Sequence, residues 1–417
     1  MSAAVPHAAV PFAHSFLDCG VELAVEPLPE RQTVALSFRM LTGSADDPLE
    51  LTGMAAIVER TLSKGTARYD GRALADAFDA CGAQWGTACG RQSTLLRVLC
   101  LPEFVLDVID LAAELIARPT FPDDACKVAV RLAQEELEHL DDDPQELLRI
   151  DMQRLTLGPV LGRHGGGERD TLPRINPAAV REHWRKFFSA GRLQISAAGP
   201  VSFDALCARV DAAFRGFGDA SRAGRDNADF VFTPGRNHRE RDLKQQYIGL
   251  ALAGAARGDA EFATEQVLLG VLSGGMSGRL FTEVREKQGL VYWVGAWHEQ
   301  PRGAGLIHLG ASTTPERCHQ TYETLLRELQ RLGEDLTDDE VRRARDGLIA
   351  HCETEDDLTR ARAAGLSDDL FHFSRPIGLQ AKLNAIRAVT RAAVEAYARR
   401  LRRDQVCVAT VGPRRLE

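Results

Sequence analysis

The sequence lacks the marks that make several functional classes easy to assign. Its 417 residues include nine cysteines, an odd number with no C-x-x-C pair among them. That excludes a disulfide scaffold or a thiolate zinc site, and reads instead as scattered small apolar residues in a reducing compartment, the cytoplasm. No apolar run approaches the roughly 18 residues of a membrane span. Met1–Gly20 has neither a basic leader nor a long apolar stretch, so no secretory signal is expected. Lys and Arg number 51 against 59 Asp and Glu, a net charge of −8 with no basic block, which excludes a phosphate-tracking nucleic-acid binder.

Short catalytic motifs are missing too. The eleven histidines contain no H-x-x-x-H pair, so no helix offers two imidazoles to one metal. Without a G-x-S-x-G elbow, His164-Gly165-Gly166-Gly167 reads as a surface loop rather than an esterase oxyanion loop. Ser273-Gly274-Gly275-Met276-Ser277-Gly278 lacks the lysine of a phosphate-binding loop and reads as a turn onto the helix Arg279–Lys287. Asp141-Asp142-Asp143-Pro144 reads as a helix stop with a solvated turn, not a calcium loop.

What is present is an ordinary globular mixture, 44% hydrophobic and 26% charged, long enough for two or more domains. Alternation predicts strands at Val21–Val25 and Thr33–Leu41, and helical spacing predicts helices over residues 53–63 and Leu74–Cys81. Strands around Ala83–Ala88 and Leu95–Leu101 follow. Next come helices Phe104–Ile116, Asp124–Asp141, Glu146–Leu155 and Pro177–Phe188, then a strand at Leu193–Ala198. The second half repeats the plan. Val180–Val201 and Val394–Pro413 are each a helix with aromatic anchors, a basic turn, and a strand closing on Gly-Pro. Tyr247–Ala253 likewise opens the second half as Thr33–Leu41 opens the first. The expected fold is α+β: two homologous domains, residues 1–220 and 245–417, each a mostly antiparallel sheet covered by helices. A polar linker, 221–244, joins them.

The most informative segment is Gly53-Met54-Ala55-Ala56-Ile57-Val58-Glu59-Arg60, followed by Ser63-Lys64-Gly65-Thr66. Its frame resembles that of the pitrilysin/insulinase zinc peptidases, in the branch similar to mitochondrial processing peptidase. Their inverted motif H-x-x-E-H holds zinc through two histidines, with the intervening Glu as general base and a distant Glu as third ligand. The resemblance places Ala56 and Arg60 at the two histidine positions, Glu59 at the base and Glu136 at the third ligand. Ala129 stands where a supporting acidic residue is usual. Ala has no donor atom and a guanidinium has no lone pair to give, so the resemblance implies a degenerate site that binds no metal.

The resemblance continues through Val34–Asp47, Glu136–Pro144, the two Gly-Pro strand ends and Gly278–Val294, from Asp18 onward. In Arg279–Tyr292 it aligns Arg285 and Tyr292 with a family pair that faces the zinc site across a chamber. In relatives that pair binds the substrate backbone and steadies the oxyanion. One half without ligands and the other with its assisting pair imply a non-catalytic subunit. Its expected partner is a related zinc-bearing chain in a heterodimer, acting on peptide or unfolded protein, with no cofactor on this chain itself. Two alternatives stay open: a structural or assembly homologue, and a peptide-binding protein that captures without cutting.

Overall fold

A computed structural model describes residues 12–222 and 230–416. Residues 1–11 of the N-terminal segment and 223–229 of the expected linker lie outside the described residues. In chain order, the first half runs β1 (Ala13–Phe16), β2 (Glu22–Pro27), β3 (Val34–Met40), α1 (Met54–Leu62), α2 (Gly71–Ala80), β4 (Gln84–Cys89) and β5 (Thr94–Cys100). It continues with α3 (Val105–Ala117), α4 (Asp123–His139), α5 (Pro144–Leu161), α6 (Pro177–Phe187), β6 (Leu193–Gly199) and α7 (Phe203–Ala213). The second half runs β7 (Arg236–Glu240), β8 (Gln246–Gly254), α8 (Phe262–Ser273), β9 (Val291–Glu299), β10 (Gly305–Thr313) and α9 (Cys318–Arg331). It closes with α10 (Asp338–Asp356), α11 (Thr359–Phe373), α12 (Leu379–Arg387), α13 (Arg391–Arg400) and β11 (Cys407–Gly412). None of the described helices is long and apolar enough to cross a membrane.

The chain folds into two compact units, and the α+β class is as expected. In the first, six strands are ordered β1-β2-β6-β3-β5-β4, antiparallel except for the β2–β6 pair. β3 is buried on both faces, and its two faces differ in kind. Phe38 meets Phe214, the residue that ends α7, at 6.5 Å, while Ala35 packs with Ala363 of α11 and Arg39 donates to Ser367 of α11 at 2.9 Å. Its residues therefore alternate although all are buried: Val34, Leu36, Phe38 and Met40 make one face, and small or paired polar residues satisfy the other. The second unit orders five strands β7-β11-β8-β10-β9, antiparallel except for β7–β11. Its main core, with Leu250, Leu268 and Leu309, lies on the α8/α9 face. On the other face Met152 of α5 covers Ala251, Cys407 and Ala409.

The repeat read from the sequence is real in the fold: β2-β6-β3-β5-β4 and β7-β11-β8-β10-β9 are the same order, and β8 stands where β3 does. Both Gly-Pro strand ends use the glycine in the same way. Gly199 has φ 139° and Gly412 φ 142°, and at each a Cβ would come within 2.6 Å of an oxygen, on Thr33 and Gln246 respectively.

Two expectations are corrected. The residue range 221–244 contains strand β7, which pairs only with β11 at the sheet edge. Its sequence, RNHRE, has no apolar periodicity; it is held by backbone pairing, by His238 on Thr410 at 2.8 Å, and by Arg239 on Asp151. The units are also not contiguous halves: residues 136–164, with α5, belong to the second, and 354–380, with α11, to the first. Each sheet is thus closed on one face by a helix from the other half of the sequence. An amphipathic helix shows that it needs a partner, not which sheet provides it.

Candidate functional site

In the first unit the segment that resembles the zinc motif lies on α1, and its start is fixed by a buried carboxylate. Gly53 takes a left-handed conformation, φ 100°, that turns the chain into the helix. The backbone N–H groups of Gly53 and Ala55 both donate to Asp47 at 2.8 Å. These are orphan donors of a helix N-terminus, where a carboxylate is doubly favoured. Met54, Ile57, Val58 and Leu62 are buried beneath the helix. Ala56, Glu59 and Arg60, at i, i+3 and i+4, are therefore left together on its partly exposed face.

Glu59 accepts a hydrogen bond from the Thr87 hydroxyl of β4, the edge strand of the sheet. Nearby, burial pushes the Cys89 thiol up to about 12, with the charges of Asp47 and then Glu59 adding to the rise. A thiol raised that far is a poor nucleophile near neutral pH. Ala56 and Arg60 bring no donor, so this helix face does not fit a zinc ion. Among the described residues no three His, Cys, Asp or Glu side chains are grouped to hold a metal. Glu136 is exposed near the C-terminal end of α4, at the residue where the second unit begins, and Ala129 is buried on the same helix.

In the second unit the structure brings Arg285 and Tyr292 together. Arg285 lies in Leu280–Lys287, a segment wound as a π-helix, with Leu280 and Val284 buried under it. Wide turns of this kind are uncommon and concentrate at functional sites. The Arg285 guanidinium sits 5.0 Å from the Phe281 ring centroid and 5.7 Å from that of Tyr292. Tyr292 occupies a β-bulge: Trp293 pairs with Ser312 and Val291 with Thr313, leaving Tyr292 with no partner across the ladder. Its side chain is 78% exposed. Bulges re-aim a side chain out of the sheet pattern, which is what happens here.

The turn between the two residues is pinned from three sides. Leu290 N–H donates to Val284 at 3.1 Å, the Thr313 hydroxyl donates to the Leu290 carbonyl at 2.6 Å, and Arg317 donates to the Gly289 carbonyl at 2.5 Å. Arg279, only 6% exposed, anchors the start of the segment on Asp335 and Glu340, both at 2.6 Å. So one arginine of this segment is a buried strut and the other is displayed. A fixed cation beside a phenolic hydroxyl can stabilise negative charge on a bound group. Phe281, the platform beneath Arg285, went unread in the sequence; its signal is the i, i+4 spacing to Arg285.

Comparisons with known proteins agree on one family. A family profile described as insulinase (peptidase family M16) matches residues 23–158, and one described as peptidase M16 inactive domain matches 174–348. An uncharacterized zinc protease of Bacillus subtilis, YmxG, is 25% identical over 402 residues, covering 94% of this chain and 96% of its own. An uncharacterized zinc protease of Rickettsia bellii is 22% identical, covering 97% and 98%. Among solved structures, a peptidase M16 inactive domain from Pseudomonas fluorescens superposes with a TM-score of 0.87 at 21% identity, over 98% of this chain and 99% of that one. A protease from Helicobacter pylori gives 0.88 at 14% identity, over 96% and 99%.

Proposed function

Since the chain belongs to the M16 (pitrilysin/insulinase) peptidase family, we propose that it is the non-catalytic subunit of a heterodimeric zinc peptidase. Its partner is a related chain with an intact H-x-x-E-H motif, its substrate an extended peptide or unfolded protein, and its setting the cytoplasm. The observation that carries this reading is an asymmetry. The α1 face has lost its donors at Ala56 and Arg60, while Arg285 and Tyr292 are held together and displayed by a π-helical turn and a bulge. In this role the Arg285 guanidinium binds the peptide carbonyl and the Tyr292 hydroxyl donates to the oxygen that gains charge during hydrolysis on the partner. A second reading, capture of peptide without cleavage, is favoured by Trp293 and Trp297, which lie side by side, 46% and 44% exposed, in the second unit.

The test is kinetic. In the complex co-purified with an H-x-x-E-H-bearing relative from the same genome, Arg285→Ala and Tyr292→Phe should each lower kcat by roughly 10²–10³, the usual cost of one oxyanion donor. KM should change less, and the partner's zinc content should not change. Unaltered kcat in both variants contradicts the assignment.

A further inference from the structure

A cavity of about 340 Å³ lies in the first unit between α11 and strands β3, β5 and β4. Strand register sets a row of residues across it: Ser37 stands opposite Arg97, and Arg97 opposite Gly86. The internal repeat gives this row a counterpart. Counted back from the two Gly-Pro strand ends, Ser196 of β6 corresponds to Ala409 of β11, and these pair with Ser37 and Gly249 respectively. The row Ser37-Arg97-Gly86 is therefore the equivalent of Gly249-Gly310-Gly295 in the second unit. Where the second sheet is built with a glycine, the first displays a guanidinium. The architecture itself does not call for that cation.

Nothing around the cavity engages it either. Arg97 and Arg360 of α11 both line the cavity and are exposed, and among the described residues neither makes a hydrogen bond or an ion pair. The side chain of Gln84, two residues along β4 from Gly86, is likewise exposed and without a partner among the described residues. Ser37 is 2% exposed, and its hydroxyl is buried with no hydrogen-bond partner. A buried hydroxyl left so costs free energy that an entering ligand can recover. Among the described residues no carboxylate lines the cavity. The acids just before α11 are engaged elsewhere, Asp356 with Arg362 and Asp357 with Arg31 at 3.7 Å. Two guanidiniums without a counter-charge thus share one cavity in a chain whose net charge is −8. A Cβ on Gly86 would meet nothing within 4 Å, so the space over β4 is open to a ligand.

We propose that this cavity binds the carboxylate of a glutamate side chain in a bound peptide. The chemistry selects that class. Guanidiniums hold a carboxylate through paired, charge-assisted hydrogen bonds, and the Gln84 amide and Ser37 hydroxyl are spare donors beside them. Leu99, partly buried against Ala35 and Ala363, gives the methylene stem an apolar wall. A lysine would be repelled, an apolar side chain would leave both cations unpaired, and a bare inorganic anion would leave the apolar wall uncovered. That a peptide carries the carboxylate rests on the peptidase reading above. The site itself is read on this chain alone, without hydrolysis, so it can fail while the Arg285 and Tyr292 kinetics hold, and the reverse.

The experiment titrates the full-length chain with a capped decapeptide of Gly and Ser carrying glutamate at alternate positions, followed by calorimetry. Saturable binding is expected, against the chain's own net negative charge. It should weaken roughly tenfold when glutamine replaces glutamate, which keeps the stem and loses the charge. Arg97→Gln and Arg360→Gln should each weaken the glutamate peptide by a comparable factor. If Arg97→Gln lowers the melting temperature, Arg360→Gln and the peptide series decide. Equal affinity for the glutamate and glutamine peptides overturns the proposal. So does no binding at millimolar peptide, or glutamate binding indifferent to both substitutions. Inorganic phosphate that binds more tightly than the glutamate peptide, and loses its affinity in both variants, would assign the cavity to a free anion and overturn it as well.

Discussion

Removing Arg239 should unlock α5 from the second unit. Asp151 of α5 is 3% exposed and accepts two hydrogen bonds from the Arg239 guanidinium of β7, at 2.8 and 2.5 Å. Truncation to alanine leaves a carboxylate in the interior with its partner gone, a loss of about 3–5 kcal/mol in buried pairs. Arg239 keeps 28% of its side chain in water, which puts the expected figure at the lower end, about 3 kcal/mol. For a unit of this size that lowers the melting temperature by roughly 6–12 °C. The readout is thermal unfolding followed by circular dichroism, with Asp151→Leu and the double variant Arg239→Met/Asp151→Leu completing a cycle. Replacing both partners by apolar groups should recover most of the loss, because no charge is then stranded. A shift under about 2 °C for Arg239→Ala, or a double variant as unstable as the sum of the singles, would refute the reasoning.

Other outcomes follow from the same geometry. Asp47→Ala removes two charge-assisted hydrogen bonds from the start of α1 and should destabilise the first unit by about 2–4 kcal/mol, measurable by urea unfolding. Burial lowers the His183 pKa to about 4, with Lys186 adding to the effect, so the folded state disfavours its proton. Its contribution is present above pH 6.5 and is lost as pH falls toward 4, up to roughly 3 kcal/mol; His183→Gln should flatten that acid limb of the stability curve. The Cys19, Cys318 and Cys407 thiols are pushed up to about 11 and Cys89 to about 12, chiefly by burial. At pH 8 they should stay unlabelled by a thiol reagent in the native chain, whereas all nine cysteines react after unfolding, as free thiols do.

The first sheet was legible where periodicity was strong. The segments read at Thr33–Leu41 and Leu95–Leu101 became β3 and β5, and the residue 53–63 helix became α1, shorter by one residue at each end. β7 escaped because its strand is polar throughout and gains its place from pairing rather than from a buried face. The exchange of α5 and α11 escaped because an amphipathic stripe carries no address. At the site, the resemblance singled out Ala56, Glu59 and Arg60, and the structure puts them together on the partly exposed face of α1. The seven-residue spacing of Arg285 and Tyr292 says only that a helix ends and a strand begins. Two departures from regular geometry turn that spacing into proximity: the π winding and the bulge, neither of which has a sequence period. The alignment of Gly249, Gly310 and Gly295 across three strands was hidden for a similar reason, since only strand register brings them together.

The most direct test compares peptide hydrolysis and zinc content in three preparations: this chain alone, its H-x-x-E-H-bearing relative alone, and the two co-purified. An unstructured protein serves as substrate. The account predicts no hydrolysis and no stoichiometric zinc in this chain, and activity in the complex well above that of the relative by itself, most of it removed by Arg285→Ala. Zinc-dependent hydrolysis by this chain alone would contradict it, because Ala56 and Arg60 would then not stand at the ligand positions.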